Sequence, residues 1–277
     1  MRVLIRFSVF VLFATLLQGF FDGKESARAQ ESATQVTVPG TDDLSWLEAY
    51  RAAAEERWAK SIAELEALDK AEDDPSDAIL FIGSSSIRRW EDLSVDMAPY
   101  RTVRRGYGGA RFSDVAIFAE RLIHPHQYRA LVMFVGNDVV GKPTDRTPEE
   151  LEQLVEYVVG VSHQHSPGTP VFIIEITPTD ARFPAWPKIR QANAILRDIS
   201  LRTADTYFIP TAGIFLRPDG SPRSELFAED RLHLNEQGYD LWSIVIRRRL
   251  DDVFRLIAES ESKSAKTTLA ASGPAGN

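Results

Sequence analysis

The sequence predicts an α/β fold in which helices cover both faces of a single five-stranded parallel sheet. Short apolar runs of strand length recur along the chain, and the segments between them carry apolar residues at the three- and four-residue spacing of helices. Strands that alternate with helices in this way form βαβ units, and such units build parallel sheets that are covered on both sides.

Each predicted strand is rich in β-branched or aromatic residues, as is typical of strands buried on both faces. The predicted strands are residues 78–82, 102–103, 130–135, 171–176 and 206–209. Helices are predicted at residues 44–71, 112–123, 148–165, 188–203 and 236–257, with Asn235 as the N-cap of the last one. Five strands in one layer fit a single domain, which we place at residues 44–258.

The first 29 residues have the pattern of a signal peptide. Arg2 and Arg6 flank the start of an apolar stretch, and Ala27-Arg28-Ala29 supplies the small residues of a cleavage site. The alternative is an uncleaved membrane anchor, because Val3–Phe21 approaches the length that spans a bilayer. We expect cleavage near Ala29 and export to the periplasm or the medium, with no stable membrane anchor on the mature chain.

Two further segments are predicted to lie outside the packed domain. Residues 30–43 are polar and lack periodicity, which indicates a linker. Residues 259–277 are rich in Ser, Ala, Lys, Thr and Gly without an apolar period, which predicts a disordered tail.

Composition and charge exclude several classes of function. The chain has no cysteine, so disulfides, thiolate metal sites and cysteine nucleophiles are absent. Its formal net charge of −8 argues against nucleic acid as a partner.

Hydroxyl and amide side chains follow three of the predicted strands. Gly83 ends the first strand and is followed by Ser84, Ser85 and Ser86, with Ser85 as the candidate nucleophile. Gly108-Gly109 follows the second strand, and Gly136-Asn137-Asp138 follows the third. Because the carboxyl ends of parallel strands lie on one edge, the backbone N–H groups of Ser85 and Gly109 and the Asn137 amide could together stabilise an oxyanion.

A serine nucleophile needs a base, and His233 is the best placed of the five histidines. It lies in Asp230-Arg231-Leu232-His233, where the Asp230 carboxylate can turn back to the imidazole and orient it. Taken alone the Asp-x-x-His spacing is weak, because Asp230 could equally cap a helix-entry loop. The remaining histidines, which we expect at the solvated surface without a metal, are His124, His126, His163 and His165.

Read together, four stretches resemble the sequence blocks of the SGNH (GDSL-type) serine hydrolase family. The blocks occur in the order of that family, and the similarity covers roughly residues 76 to 255. The stretches are Phe81-Ile82-Gly83-Ser84-Ser85-Ser86, Arg105-Gly106-Tyr107-Gly108-Gly109, Val135-Gly136-Asn137-Asp138 and Asp230-Arg231-Leu232-His233-Leu234-Asn235.

The resemblance implies a three-layer α/β/α flavodoxin-like fold and a serine esterase that requires no metal or organic cofactor. It singles out Ser85 among the three serines, with Asp230 and His233 as its partners. It also places the oxyanion hole on Ser85, Gly109 and Asn137. Ser84 stands where the usual Gly-Asp-Ser has aspartate, as in Gly-Ser-Ser-Ser variants of the family. The third block lacks the usual spacer before its asparagine.

We therefore expect an exported hydrolase of a carboxylic ester, with a short acyl or acetyl group on a sugar, a lipid or a small alcohol. Arg182 and Trp186, in the loop after the fourth strand, are candidates for the substrate pocket. The alternatives are an O-acyltransferase with the same residues and a non-catalytic flavodoxin-like binding module. An ordinary α/β-hydrolase is disfavoured, because no Gly-x-Ser-x-Gly elbow is present.

Overall fold

The computed structural model of the chain describes residues 43–271. Its five strands run parallel in one sheet, in the order β2-β1-β3-β4-β5. The strands are β1 (Ile79–Gly83), β2 (Thr102–Gly106), β3 (Ala130–Phe134), β4 (Val171–Ile174) and β5 (Thr206–Ile209). This is the strand order of a flavodoxin-like doubly wound sheet, so the predicted fold class is confirmed.

Helices connect the strands, and most of them begin where the sequence predicts. The helices are α1 (Ser45–Ala71), α2 (Ser85–Arg88), α3 (Leu93–Asp96), α4 (Phe112–Ile117), α5 (Ala119–Ile123), α6 (Pro148–His165), α7 (Trp186–Arg202) and α8 (Glu236–Ala271). The single helix predicted over residues 112–123 is divided at Phe118 into α4 and α5. The predicted cap of the last helix is confirmed, because the Asn235 side chain accepts the N–H of Gly238 at 3.0 Å.

The sheet is buried on both faces, which explains why its strands are apolar at every position. In β1, Leu80 and Ile82 face the core formed with α1, α4, α5, α6 and α7. Ile79 and Phe81 face the opposite core, formed with α2, α3 and α8. Side chains that alternate between two cores account for the predicted three layers.

Helix α1 packs its apolar stripe on the first of these cores. Leu47, Ala54 and Ile62 are buried, as the helical spacing predicts. Trp58 lies against the loop after β2, where a Cβ atom on Gly108 would stand 1.9 Å from the indole ring. Gly108 has a φ of +35°, so glycine is required there both by the conformation and by the contact.

The last helix is longer than expected. We predicted disorder over residues 259–277, but α8 continues to Ala271. Residues 258–267 are exposed, so burial does not stabilise this extension. Its Glu, Lys and Ala residues are strong helix formers, and Arg255 pairs with Glu259 one turn away at 3.2 Å. The prediction of disorder relied on the missing apolar period and underrated this local preference.

His126 lies in the interior, so its predicted position at the surface is wrong. The residue is 2 % exposed, and its Nδ1 atom lies 2.6 Å from Asp74 Oδ2. Its Nε2 atom lies 3.4 Å from Asp69 Oδ1, and the Arg105 Nε atom donates to the same carboxylate at 2.5 Å. These two carboxylates and one histidine could surround a cation, but the Arg105 guanidinium already supplies positive charge beside both carboxylates.

Of the other three histidines, only His124 is as exposed as predicted. His163 and His165 are half-buried. His163 Nε2 lies 3.1 Å from the Thr206 hydroxyl, and His165 Nε2 lies 2.9 Å from the carbonyl of His126. Polar partners from other elements compensate the burial of both rings.

Several sequence predictions fall outside the described residues. These are the signal peptide at 1–29, the linker apart from Asp43, and the tail beyond Ala271. Within residues 43–271, no helix combines the length and hydropathy that crossing a membrane requires.

Candidate active site

The carboxyl ends of β1, β2 and β3 lie side by side, because β1 is the middle strand of the three. Gly83 ends β1 with a φ of +135°, and a Cβ atom there would stand 2.0 Å from the Phe134 carbonyl oxygen. Glycine is therefore needed for the chain to leave the sheet beside β3. The loops after these three strands meet at one edge, as predicted.

Ser85 is the first residue of the short helix α2, directly above this edge. Its Oγ atom lies 2.8 Å from Nε2 of His233. The next residue, Ser86, accepts the Tyr239 hydroxyl on its backbone carbonyl at 2.8 Å, which ties α2 to α8. Ser84 is buried below the helix. Among the three serines, Ser85 is thus the one whose hydroxyl contacts a histidine.

His233 is held by a tight turn before α8. The Asp230 Oδ1 atom accepts the backbone N–H groups of Leu232 at 3.0 Å and of His233 at 2.9 Å. Its Oδ2 atom lies 2.7 Å from His233 Nδ1. A carboxylate can only accept, so Nδ1 carries the proton and Nε2 is left as the acceptor that faces Ser85. Arg231 closes the turn with a φ of +55°.

The environment of Asp230 favours its charged form. Partial burial opposes ionisation, but the backbone and ring N–H groups of His233 and the N–H of Leu232 outweigh it and hold the pKa of Asp230 well below its usual range. The Arg89 guanidinium adds a contact 3.2 Å from Oδ2. Asp230 is therefore an anion that can both orient His233 and stabilise its protonated form.

The three predicted oxyanion donors, Ser85, Gly109 and Asn137, each have an N–H hydrogen that is available. Within residues 43–271, no acceptor is in hydrogen-bond contact with the backbone N–H of Ser85 or of Gly109. A Cβ atom on Gly109 would stand 3.9 Å from Asn137 Nδ2, so these two residues are neighbours. Asn137 Nδ2 donates one hydrogen to the Ala110 carbonyl at 2.8 Å, which leaves its second hydrogen available.

A small cavity of about 30 Å³ opens beside Ser85 and His233. Arg182 lines it and contacts Asn137, whereas Trp186 packs at the start of α7 against the core and is not among its lining residues. The cavity wall consists of Ser84, Ser85, Ser86, Phe134, Gly136, Asn137, Ile176, Thr177, Thr179, Arg182, Leu232, His233, Leu234 and Trp242.

A larger groove of about 1150 Å³ runs along β5 between α7 and α8, but none of the three predicted catalytic side chains lines it.

Sequence reasoning missed several residues of this wall. Thr177 and Thr179 follow β4, at the start of the loop that holds the candidate pocket residues Arg182 and Trp186. Both hydroxyls are buried and have no hydrogen-bond partner among the described residues. Their position directly after a strand end was the signal that could have identified them.

Asp138 is another residue whose role the sequence did not show. Its carboxylate accepts the N–H of Phe112 at 2.9 Å and so caps the start of α4. Burial raises the pKa of Asp138 to about 7, although the Phe112 N–H and Arg146 favour its charged form. Between the ordinary value of 3.8 and about 7, the folded state binds this proton more tightly than the unfolded chain. The free energy of unfolding is therefore expected to fall as the pH rises through this window.

We expect Asp138→Asn to remove this part of the pH dependence. Between pH 4 and pH 7, the raised pKa of Asp138 should lower the free energy of unfolding of the wild-type protein by up to about 4 kcal/mol. One pKa unit corresponds to about 1.4 kcal/mol. Urea unfolding at pH 5 and pH 8 measures the difference, with the exposed Asp198→Asn as the control. An unchanged pH slope in Asp138→Asn would show that Asp138 ionises normally.

Comparisons with known proteins agree with this architecture. The family model described as the GDSL-like Lipase/Acylhydrolase family matches residues 82–241. A comparison with curated proteins returned no match.

Solved structures with the same fold are distant in sequence. One, described provisionally as a platelet activating factor from Streptococcus pneumonia, has a TM-score of 0.64 at 17 % identity and covers 75 % of this chain and 99 % of its own. A GDSL-like lipase from Bacteroides thetaiotaomicron has a TM-score of 0.55 at 15 % identity, covering 72 % and 97 %. A family 3 carbohydrate esterase from Clostridium thermocellum has a TM-score of 0.51 at 18 % identity, covering 66 % and 98 %. The match over residues 82–241, more than half of the chain, shows that this protein belongs to the GDSL-like lipase/acylhydrolase family of ester hydrolases.

Proposed function

We propose that this protein is an exported serine esterase in which Ser85, His233 and Asp230 form a catalytic triad. The observation that carries the proposal is the continuous chain of contacts from Ser85 Oγ to His233 Nε2 at 2.8 Å and from His233 Nδ1 to Asp230 Oδ2 at 2.7 Å. This is the arrangement that a nucleophile, a base and an orienting carboxylate require.

In the proposed reaction, Ser85 Oγ attacks the acyl carbonyl carbon and His233 Nε2 takes the hydroxyl proton. The Asp230 carboxylate stabilises the imidazolium that forms. The N–H groups of Ser85 and Gly109 and the amide of Asn137 donate to the oxyanion. His233 then protonates the departing alkoxide, which leaves the acyl group on Ser85. Water, deprotonated by His233, then attacks this ester. The bond to Ser85 Oγ breaks as His233 returns the proton to that oxygen, and the carboxylic acid is released.

The cavity beside Ser85 favours a short acyl group, and we propose acetyl. The space in which a water-sized molecule can be centred beside Ser85 is only about 30 Å³, which favours a short acyl group over a long chain. The buried hydroxyls of Thr177 and Thr179 add unused hydrogen-bonding capacity to this wall. The alcohol part of the substrate is a sugar or another small alcohol, and the fold similarity to a carbohydrate esterase is compatible with a sugar.

Hydrolysis of p-nitrophenyl acetate, butyrate and octanoate tests both parts of this proposal. We expect kcat/KM for the acetate to exceed that for the butyrate by at least about tenfold, because the narrow cavity disfavours extra methylene groups. Equal rates for acetate and octanoate would refute the acetyl preference but not the esterase. Failure to cleave any of the three would count against the esterase on simple substrates.

The acyltransferase alternative is tested in the same assay. Adding a sugar or small alcohol as acceptor and analysing the products separates transfer of the acyl group from hydrolysis. A predominance of the new ester over free acid would favour the transferase. A non-catalytic binding module would give neither product.

A further inference from the structure

Arg182 approaches Asn137 from the side opposite to the Ala110 carbonyl contact. It belongs to a 3-10 helix, Asp180–Ala185, in the loop after β4. Its Nη1 atom donates to the carbonyl of Gly136, and its Nη2 atom donates to Oδ1 of Asn137. One guanidinium thus contacts both the backbone and the side chain of the segment that supplies the third oxyanion donor.

These contacts determine which way the Asn137 amide points. An amide can be turned over with almost no change of shape, which exchanges its oxygen and nitrogen. A guanidinium has only donors, so it requires the amide oxygen on its side. The Ala110 carbonyl can only accept, so it requires the nitrogen, which it contacts at 2.8 Å. Arg182 and Ala110 together keep Nδ2 on the side of Gly109.

The charge of Arg182 is not neutralised by a direct ion pair. Within residues 43–271 no carboxylate lies within 4.0 Å of its guanidinium, and the side chain is half-buried. Burial accordingly lowers the pKa of Arg182, and Asp138 and Asp145 oppose that effect at longer range. A cation that hydrogen-bonds to the amide oxygen also polarises the amide, which makes Nδ2–H a stronger donor.

We propose that Arg182 is a positioning residue that orients and polarises the Asn137 amide in the oxyanion hole. This inference rests on the proposed function and extends it. It gives Arg182 a role in stabilising the transition state rather than in binding the substrate. The guanidinium acts through Asn137 and does not itself contact the reacting atoms.

A double-mutant cycle tests this coupling. The four proteins are wild type, Arg182→Met, Asn137→Ala and the double variant, each assayed on p-nitrophenyl acetate. We expect Asn137→Ala to lower kcat by about 10²- to 10³-fold, as removal of one oxyanion donor does. Arg182→Met should lower kcat by about 30- to 100-fold with KM changed less than threefold. In the Asn137→Ala background, Arg182→Met should cost less than about threefold, because the group it acts on is gone.

Three outcomes would overturn the proposal. An equal loss in both backgrounds would mean that Arg182 acts independently of Asn137. An increase in KM at unchanged kcat would instead support direct binding of the substrate. An unchanged kcat in Arg182→Met would show that the contact has no catalytic role. Full activity of Ser85→Ala would end the proposed function itself, whereas full activity of Asn137→Ala would remove only Asn137 from the oxyanion hole, and with it the role proposed for Arg182.

Two further variants separate positioning from stability. Arg182→Lys keeps the charge but loses the two-pronged contact, so we expect a partial rescue to about a tenfold loss in kcat. If Arg182→Met does not fold, the same cycle with Arg182→Lys decides the question. Arg190→Met, at an exposed arginine on α7, is the control for loss of a positive charge and should keep wild-type kcat.

Discussion

Ser85→Ala is expected to abolish ester hydrolysis, with a loss of at least about 10⁴-fold in kcat on p-nitrophenyl acetate. Removing the nucleophile of a serine triad leaves only the contribution of the oxyanion donors and of substrate binding. Ser85 is the serine whose hydroxyl meets His233, at 2.8 Å. The substitution removes one oxygen atom at the start of α2, so folding should be unaffected.

The neighbouring serine supplies a matched control. Ser86→Ala removes a hydroxyl of the same kind one position later, while the Ser86 carbonyl still accepts Tyr239. We expect this variant to keep kcat within about tenfold of wild type. A phosphonate that labels serine hydrolases should add its mass to the peptide containing position 85 in wild type and in Ser86→Ala. It should not label that peptide in Ser85→Ala. Activity that persists in Ser85→Ala would end the assignment of Ser85.

His233→Ala is expected to lower kcat by at least about 10³-fold. Without the imidazole, nothing else in contact with Ser85 Oγ among the described residues can take its proton. Asp230→Asn should also cost about 10²- to 10⁴-fold, because an amide can donate to Nδ1 and stabilise the wrong tautomer. The amide oxygen would still accept the N–H groups of Leu232 and His233, so the turn should keep its shape.

His124→Ala is the control for the loss of an imidazole in His233→Ala. His124 is exposed and stacks on His165 at 4.9 Å, and it has no contact with the cavity beside Ser85. His124→Ala should therefore keep wild-type kcat. A loss below tenfold in His233→Ala would point to a different base and would remove His233 from the proposed mechanism.

Much of the fold could be predicted because it depends on local periodicity. Strands such as Ala130–Phe134 are buried at every position, and helices such as Ser45–Ala71 carry their apolar residues on one stripe. The parallel arrangement then brings the carboxyl ends of the strands to one edge, whichever side chains they carry. The end of α8 was misjudged because its helix depends on local propensity without burial.

In the candidate site, too, some features could be predicted from the sequence and others could not. Ser85 and Asn137 both follow strand ends, so the topology of the sheet brings them to one edge. Asp230 and His233 are three positions apart, so a tight turn brings them into contact. The amide of Asn137 is different, because its orientation depends on Arg182, 45 positions later in the chain. Nothing in the spacing of either residue indicates that contact.

The sequence by itself determined the fold class, the edge of the sheet where the side chains meet and the residues that come together there. Only the tertiary structure decided that Arg182 lies behind Asn137, that Asp138 is fully enclosed, and that His126 lies in the interior beside Asp74, 52 positions away. The physical reason is that burial and the partners of a charged group depend on packing between distant elements. Periodicity along the chain records which face of an element is apolar, but not which polar side chain of another element lies against it.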